Sequence, residues 1–381
     1  MNMNTILYIA SQRLPTEKAY GIQITKMCEA FADQGVRVKL LLPTRRNPIA
    51  EDLFSYYQIK KNFLVKKLWS PDFYLPGRLD RIAVLTKNTI SAMVLVIYAL
   101  LKGADIIYSR DELPLYFISF FKKNLIFEAH KFSLRRLGCY QRFKKTDMKV
   151  IAISNGIRDE FIRFGYKPER VIVAHDGVDL KQFSVSTTKA ECRKTLALPQ
   201  DKILVLYTGH LYEWKGAHVL AEAAKNLDKQ YVVVFVGGTE KDVARYKKIY
   251  GGYDNLMFLG QRPHGEIPLY LKAADLVVLP NSGKEEISRI YTSPLKMFEY
   301  MASGTPIVAS SLSSIREILN DTNSFLVEPD DPKSLADATQ KIMSNQELSG
   351  NISEKALKDV ENYTWEKRAE NIINFINHDK R

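Results

Sequence analysis

Cysteine is scarce. The three residues, Cys28, Cys139 and Cys192, stand far apart with no C-x-x-C pair, which points away from a disulfide framework and from a thiolate metal site. Long apolar runs are also missing. The longest, Thr89–Leu101, is interrupted by Ser91 and is read as too short to cross a bilayer. The opening residues Met1–Ala10 have neither a basic stretch nor a cleavage site, so no signal peptide is expected and the chain is expected to be cytoplasmic. Internal repeats and low-complexity segments are absent. What is present is an ordinary globular composition: 381 residues, 46% hydrophobic and 26% charged, enough for two domains with real cores.

The formal charge of +12 is unevenly placed. Residues 1–150 hold 25 Lys and Arg against 12 Asp and Glu, and residues 151–381 hold 30 against 31. The excess therefore belongs to the N-terminal part, in clusters at Lys60, Lys61, Lys66 and Lys67, at Arg78 and Arg81, at Lys122 and Lys123, and from Arg135 to Lys145. Aromatic residues such as Phe54, Tyr57, Trp69 and Tyr74 are interleaved. Such a surface serves as a solvated face or attracts an anionic membrane leaflet. No recognised nucleic-acid module accompanies the charge, so a nucleic-acid partner is not expected.

Short apolar, β-branched runs alternate with longer segments of helical period. One set runs from Ile6–Ala10 through Val36–Leu42, Asp105–Tyr108, Leu125–Phe127 and Lys149–Ile153 to Val171–Ala174. The second runs from Ile203–Tyr207 through Tyr231–Val236, Met257–Leu259, Leu276–Leu279 and Pro306–Ala309 to Phe325–Val327. Strands that are apolar on both faces and separated by helices imply parallel sheets covered on each side. The expected fold class is α/β, with two doubly wound Rossmann-like domains facing a central cleft. The expected boundaries are 1–178 for the first domain, a polar linker at 179–200, and 201–362 for the second. An amphipathic helix within 363–381, following Thr364, is expected to pack back on the first domain.

In such sheets ligands sit beyond the carboxyl ends of the strands, and four segments there carry chemistry. Tyr207–Gly216 leaves a strand toward a helix; Gly209 allows close approach and Lys215 supplies a cation, which together would clamp a diphosphate. The same segment also reads as an ordinary turn with a solvated lysine. In Tyr291–Gly304, Ser293 reads as an N-cap and Pro294 as the first helical residue. Lys296 and Glu299 then lie about 60° apart on the face opposite Leu295, Met297, Phe298 and Met301. A carboxylate there can accept from two ribose hydroxyls or form an exposed i,i+3 pair. Phe127–His130 ends a strand in a histidine able to donate a hydrogen bond or proton, or serving structure alone. Gly21, after the first strand, would let backbone amides approach an anion.

Taken in order, these segments resemble the retaining glycosyltransferases of family 4, which have the GT-B fold. The resemblance rests on Gly21-Ile22-Gln23, Phe127-Glu128-Ala129-His130, His175-Asp176-Gly177-Val178-Asp179 with Phe183, Gly209 to Gly216, Ala274-Asp275, and Ser293–Gly304 followed by Thr305-Pro306. It implies a sugar moved from a nucleotide-diphosphate sugar to an acceptor hydroxyl, glycan or lipid-linked, in cell-surface polysaccharide or glycolipid synthesis. It makes His130, Lys215 and Glu299 the catalytic candidates. Gly21, Gly209, His210, Lys215 and the amides of Leu295 and Lys296 would hold the diphosphate. Glu299, Gly260 and Gln261 would hold ribose and base, and Tyr291, Thr292, Ser293 and Pro294 would flank the donor sugar. No metal and no cofactor beyond the nucleotide-sugar co-substrate are expected. An anionic membrane surface is an expected partner through the basic N-terminal domain, with the protein peripheral on the inner face.

Two positions depart from the family pattern. His210 stands where an arginine is usual, and Tyr291 stands where the first glutamate of the E-x7-E signature would fall; Glu285 and Glu286 are the carboxylates nearby that could take its place. The departures keep two other readings open: a sugar-nucleotide epimerase on the same fold and a non-catalytic partner subunit.

Overall fold

The computed structural model describes residues 4–77 and 80–378; Arg78 of the basic clusters lies outside them. The chain divides into two compact units, residues 1–175 with 365–381, and residues 176–364.

The first unit holds a seven-stranded sheet in the order β3-β2-β1-β4-β5-β6-β7. Its strands are β1 (Thr5–Ile9), β2 (Arg37–Pro43), β3 (Leu64–Leu68), β4 (Ile106–Ser109), β5 (Leu125–Ala129), β6 (Lys149–Ala152) and β7 (Val171–Val173). The second unit holds a six-stranded sheet in the order β10-β9-β8-β11-β12-β13. These are β8 (Ile203–Thr208), β9 (Tyr231–Val236), β10 (Leu256–Gly260), β11 (Leu276–Leu279), β12 (Ile307–Ser310) and β13 (Phe325–Val327). Neighbouring strands are parallel throughout both sheets. Each unit is thus a doubly wound α/β domain, and strand order reverses beside β1 in one and β8 in the other, where such folds take ligands.

Burial explains why these runs become inner strands. All six residues of β9 are buried, as are all of β4, β5 and β11, so apolar side chains are needed on both faces. In the second unit Val205, Val233 and Val278 pack with the helix Ala217–Ala223 on one side of the sheet. Leu206, Val234, Val277 and the helix Leu295–Ser303 form the core on the other.

Two features differ from the sequence reading. Strand β3 was not expected, because its Lys66 and Lys67 read as surface charge. It is an edge strand paired only to β2 among the described strands, and lysines on an edge discourage further pairing. Residues 179–200 are not an open linker. They fold into the helices Leu180–Phe183 and Lys189–Thr195, the latter started by a Thr188–Glu191 capping box, and Arg193 Nε donates to the Ala273 carbonyl at 2.9 Å. As expected, the helix Trp365–Asn377 belongs to the first unit, where Arg368 lies buried and Lys149 Nζ donates to the Phe375 carbonyl at 2.7 Å.

Candidate functional site

In the second unit β8 ends at Thr208, held by Tyr300: its amide and hydroxyl lie 2.8 and 3.1 Å from the Tyr300 hydroxyl. Gly209 follows with φ 123°, and its N–H donates to the Val236 carbonyl at 2.8 Å. The chain then makes a short 3-10 turn, Glu213–Lys215, before the helix Ala217–Ala223. Gly216 makes that turn feasible: its φ is 68°, and a Cβ there would lie 1.7 Å from the Pro280 carbonyl oxygen.

Two ammonium-bearing side chains converge beside Gly209. A Cβ at Gly209 would lie 3.8 Å from Lys215 Nζ and 3.9 Å from Lys296 Cδ. Burial pushes Lys215 down to about 8, with Glu299 opposing the shift. Burial and then the Lys215 charge hold Lys296 well below the usual lysine range. Lys296 Nζ sits 3.8 Å from the centre of the Tyr207 ring and has no hydrogen-bond partner among the described residues. A buried cation without a hydrogen-bonded anion is costly to keep in a domain, and an anion bound beside Lys296 would offset that cost. The signal for Lys215 was legible in sequence; for Lys296 the sequence suggested its backbone amide, whereas the structure brings in its side chain.

Glu299 is buried, and its Oε1 lies 2.8 Å from His264 Nε2. His264 stands in the 3-10 turn His264–Glu266 beyond β10, four residues past Gly260. The sequence reading missed it, since nothing in the spacing ties position 264 to 299. Gly260 ends β10 with φ 71° and its carbonyl accepts from Gly237 N–H at 2.7 Å, while Gln261 is exposed. His210 stacks on Tyr212 with ring centres 5.0 Å apart and 8° between planes.

Ser293 does not cap the helix. The helix runs Leu295–Ser303 with Pro294 at its N-cap, and Ser293 Oγ instead accepts the Asp176 N–H at 3.1 Å. Proline fixes φ and has no N–H to leave unsatisfied, so it holds this position without side-chain help; the Leu295 and Lys296 amides remain in the first turn, where helices leave donors open. Tyr291 is buried at the end of a π-helical turn, Ile287–Tyr291. Glu285 and Glu286 are exposed, and Glu285 lines a pocket of about 320 Å³ whose lining includes neither Lys215 nor Glu299.

In the first unit Glu128, fully buried on β5, gathers four donors. Its Oε1 takes hydrogen bonds from Gln23 Nε2 and from His130 Nε2, the latter at 2.6 Å. Its Oε2 takes the Tyr108 hydroxyl and, at 3.2 Å, Arg368 Nη1. Burial alone would raise this carboxyl, but Arg368 and the His130 and Tyr108 hydrogen bonds outweigh it and hold it well below the usual carboxylate range. It is therefore ionised at neutral pH and can only accept, so Nε2 of His130 carries the proton. Burial and then Arg110 push His130 down to about 4, against the pull of Glu128. The ring is neutral at pH 7, and Nδ1 is its acceptor nitrogen. With Nε2 given to Glu128, the remaining nitrogen is left as an acceptor.

Gly21 stands inside the first helix of the first unit, not in the loop before it. It lies in the first turn of the helix Ala19–Asp33, its N–H donates to the Lys18 carbonyl at 2.9 Å, and a Cβ there would lie 1.9 Å from the Tyr57 hydroxyl. The glycine makes room for Tyr57, which bonds the Thr16 amide and carbonyl at 2.8 and 2.9 Å. Among the described residues no group of three His, Cys, Asp or Glu side chains is placed to hold a metal ion.

Comparison with known proteins agrees with this architecture. Residues 21–182 match the family described as Glycosyltransferase Family 4, and residues 188–359 match Glycosyl transferases group 1. A D-inositol 3-phosphate glycosyltransferase of Corynebacterium urealyticum is 25% identical over 254 residues, covering 63% of this chain and 58% of that protein. The putative teichuronic acid biosynthesis glycosyltransferase TuaC of Bacillus subtilis is 28% identical over 214 residues, 55% of this chain and 51% of that one. The matched stretch thus spans less than two thirds of these relatives. Among solved structures, Anabaena Alr3699/HepE in complex with UDP and glucose superposes with a TM-score of 0.76 at 20% identity, over 97% of this chain and 98% of that one. Sucrose-phosphate synthase of Thermosynechococcus elongatus gives 0.77 at 20% identity, over 99% of both. These likenesses extend the fold, two Rossmann-like domains of the GT-B kind, over nearly the whole chain.

Proposed function

The chain belongs to the family 4 and group 1 glycosyltransferases, and from that premise we propose that it moves a sugar from a nucleotide-diphosphate sugar to an acceptor hydroxyl with retention of anomeric configuration. The observation that carries the reading is the pair of lysines, half-buried Lys215 and buried Lys296, converging beside Gly209 where strand order reverses. Departure of the diphosphate is the hard step, because negative charge grows on the leaving oxygens while positive charge grows at the anomeric carbon. Preformed ammonium groups stabilise the leaving charge without waiting for solvent to reorganise.

In this reading Lys215 and Lys296 hold the diphosphate, helped by the Leu295 and Lys296 amides, with no metal required. Glu299 offers a carboxylate to the ribose, its orientation set by His264, and Gly260 and Gln261 border the base. His130 accepts a hydroxyl of the donor sugar or acceptor through Nδ1. Thr292 and Pro294 flank the sugar, and Tyr291 supplies an aromatic wall in place of a carboxylate. UDP is the first nucleotide to try, since the HepE structures hold UDP and UDP-glucose. A glycan or lipid-linked acceptor in surface polysaccharide or glycolipid synthesis, and a cytoplasmic location, complete the proposal.

The test is a screen of UDP-, GDP- and ADP-sugars for thermal stabilisation, followed by product analysis by NMR with the stabilising donor. Transfer with a retained anomeric centre, lost in folded Lys215→Ala and Glu299→Ala, supports the reading. Epimerisation of the donor without acceptor, or unchanged turnover in both variants, refutes it.

A further inference from the structure

The helix Asp80–Leu101 of the first unit turns its large apolar side chains outward. Its buried face carries Ala83, Lys87, Ser91, Ala92 and Ala99 along with Leu95 and Val96, and Lys87 Nζ is paired with Asp72 Oδ1 at 3.2 Å. Ile82, Leu85, Met93, Ile97 and Leu101 are exposed, from 42% at Met93 to 78% at Leu101. At 3.6 residues per turn, Ile82, Ile90, Met93, Ile97 and Leu101 fall within about 100° of one another, so they form one stripe along the helix. An amphipathic helix on a domain in water has the opposite arrangement.

The helix corrects an expectation. It extends over 22 residues, and by length and composition alone it is long and apolar enough to cross a bilayer, whereas the sequence reading started the run at Thr89. Yet one face packs on the domain through a buried ion pair, so lipid cannot surround it. A helix with one bound and one apolar face is suited to lying in a membrane interface.

Its surroundings extend the stripe. Lys87 Nζ sits 3.3 Å from the Tyr74 ring centre, which pins the segment Trp69–Leu75 against the helix, and Trp69 is 75% exposed. At the other end Lys122 Nζ donates to the Lys102 carbonyl at 3.3 Å, bringing exposed Phe121 alongside. Exposed Arg81, Lys102 and Lys123 stand at the two ends of the stripe.

We propose that this face docks on an anionic lipid bilayer, with the aliphatic stripe entering the interfacial region and the flanking cations meeting headgroup phosphates. Charge complementarity selects that occupant: like charges at both ends oppose a second copy of this face and favour an acidic surface. The inference does not depend on the transfer reaction. It also differs from adsorption by charge alone, because apolar insertion survives salt that screens exposed cations.

The full chain is sedimented with phosphatidylcholine vesicles with and without phosphatidylglycerol, at low and high salt, while tryptophan emission is followed. Expected are binding to the acidic vesicles that persists in part at high salt, and a blue shift from Trp69 that Trp69→Phe removes. Ile82→Glu with Ile97→Glu alters only exposed positions of the stripe; it is expected to weaken binding about tenfold or more with thermal unfolding and UDP binding unchanged. Equal vesicle binding by that variant overturns the proposal. So does absence of binding to every vesicle, or a lipid-free dimer that the same variant abolishes.

Discussion

Lys215 sets the pH range of the candidate site. Its folded pKa lies near 8, below the ordinary lysine value, because burial penalises the charge. A diphosphate needs the charged form, so affinity for UDP is expected to hold at pH 7 and to fall as pH rises through 8 toward 9, approaching about tenfold per unit. Titration calorimetry at several pH values measures this, and Lys215→Arg, which stays charged, should flatten the fall; an unchanged profile in that variant would refute the assignment. In the first unit the sign works on the acid side. His130 and Glu128 both have folded pKa values below their ordinary ones, and burial lowers His175 as well. Between about pH 6.5 and 4 the unfolded chain takes up protons on these histidines that the folded chain refuses, and below the ordinary carboxylate range on Glu128 too. Stability should therefore decline steadily on acidification from pH 6.5, and a Tm constant between pH 6.5 and 4 would contradict this. Lys215, Glu299 and His130 were legible in the sequence because strand ends and a marked helix carried them. Gln23, Arg368 and His264 were not, since each reaches its partner across 105, 240 or 35 positions.

Elements are held by a few positions whose loss should be measurable. Gly216→Ala would place a Cβ against the Pro280 carbonyl at a positive φ; strain of this kind costs roughly 1–3 kcal/mol, and denaturant unfolding should show a loss of that size or more. The helix Trp365–Asn377 brings Arg368 to Glu128, where both side chains are almost wholly buried. Arg368→Met strands the carboxylate, an uncompensated buried charge expected to cost about 3–5 kcal/mol; a change under 1 kcal/mol would mean Glu128 has other neutralisation. Periodicity located twelve of the thirteen strands among the described residues because inner strands must be apolar on both faces. It missed β3, where an edge position tolerates Lys66 and Lys67. Ser293 shows why cap signals mislead: its hydroxyl had two possible donors, the helix and Asp176, and only the tertiary structure decides between them.

At the scale of the molecule, two doubly wound sheets were readable from the order of runs, and the imbalance of charge marked the first unit as the one with a separate surface chemistry. The outward apolar stripe was hidden, because composition cannot say which face of a helix is covered. The second unit carries the claim on which the function rests, that paired lysines, one half-buried and one buried, grip a diphosphate. Calorimetric titration of UDP, UMP and uridine into wild type and into Lys215→Met/Lys296→Met tests it most directly. Charge-assisted hydrogen bonds contribute about 1.5–3 kcal/mol each, so wild type is expected to bind UDP at least about tenfold more tightly than UMP, and the double variant should lose that preference while keeping its fold. Equal affinities for UDP and UMP in wild type, or an undiminished preference in the variant, would contradict the account.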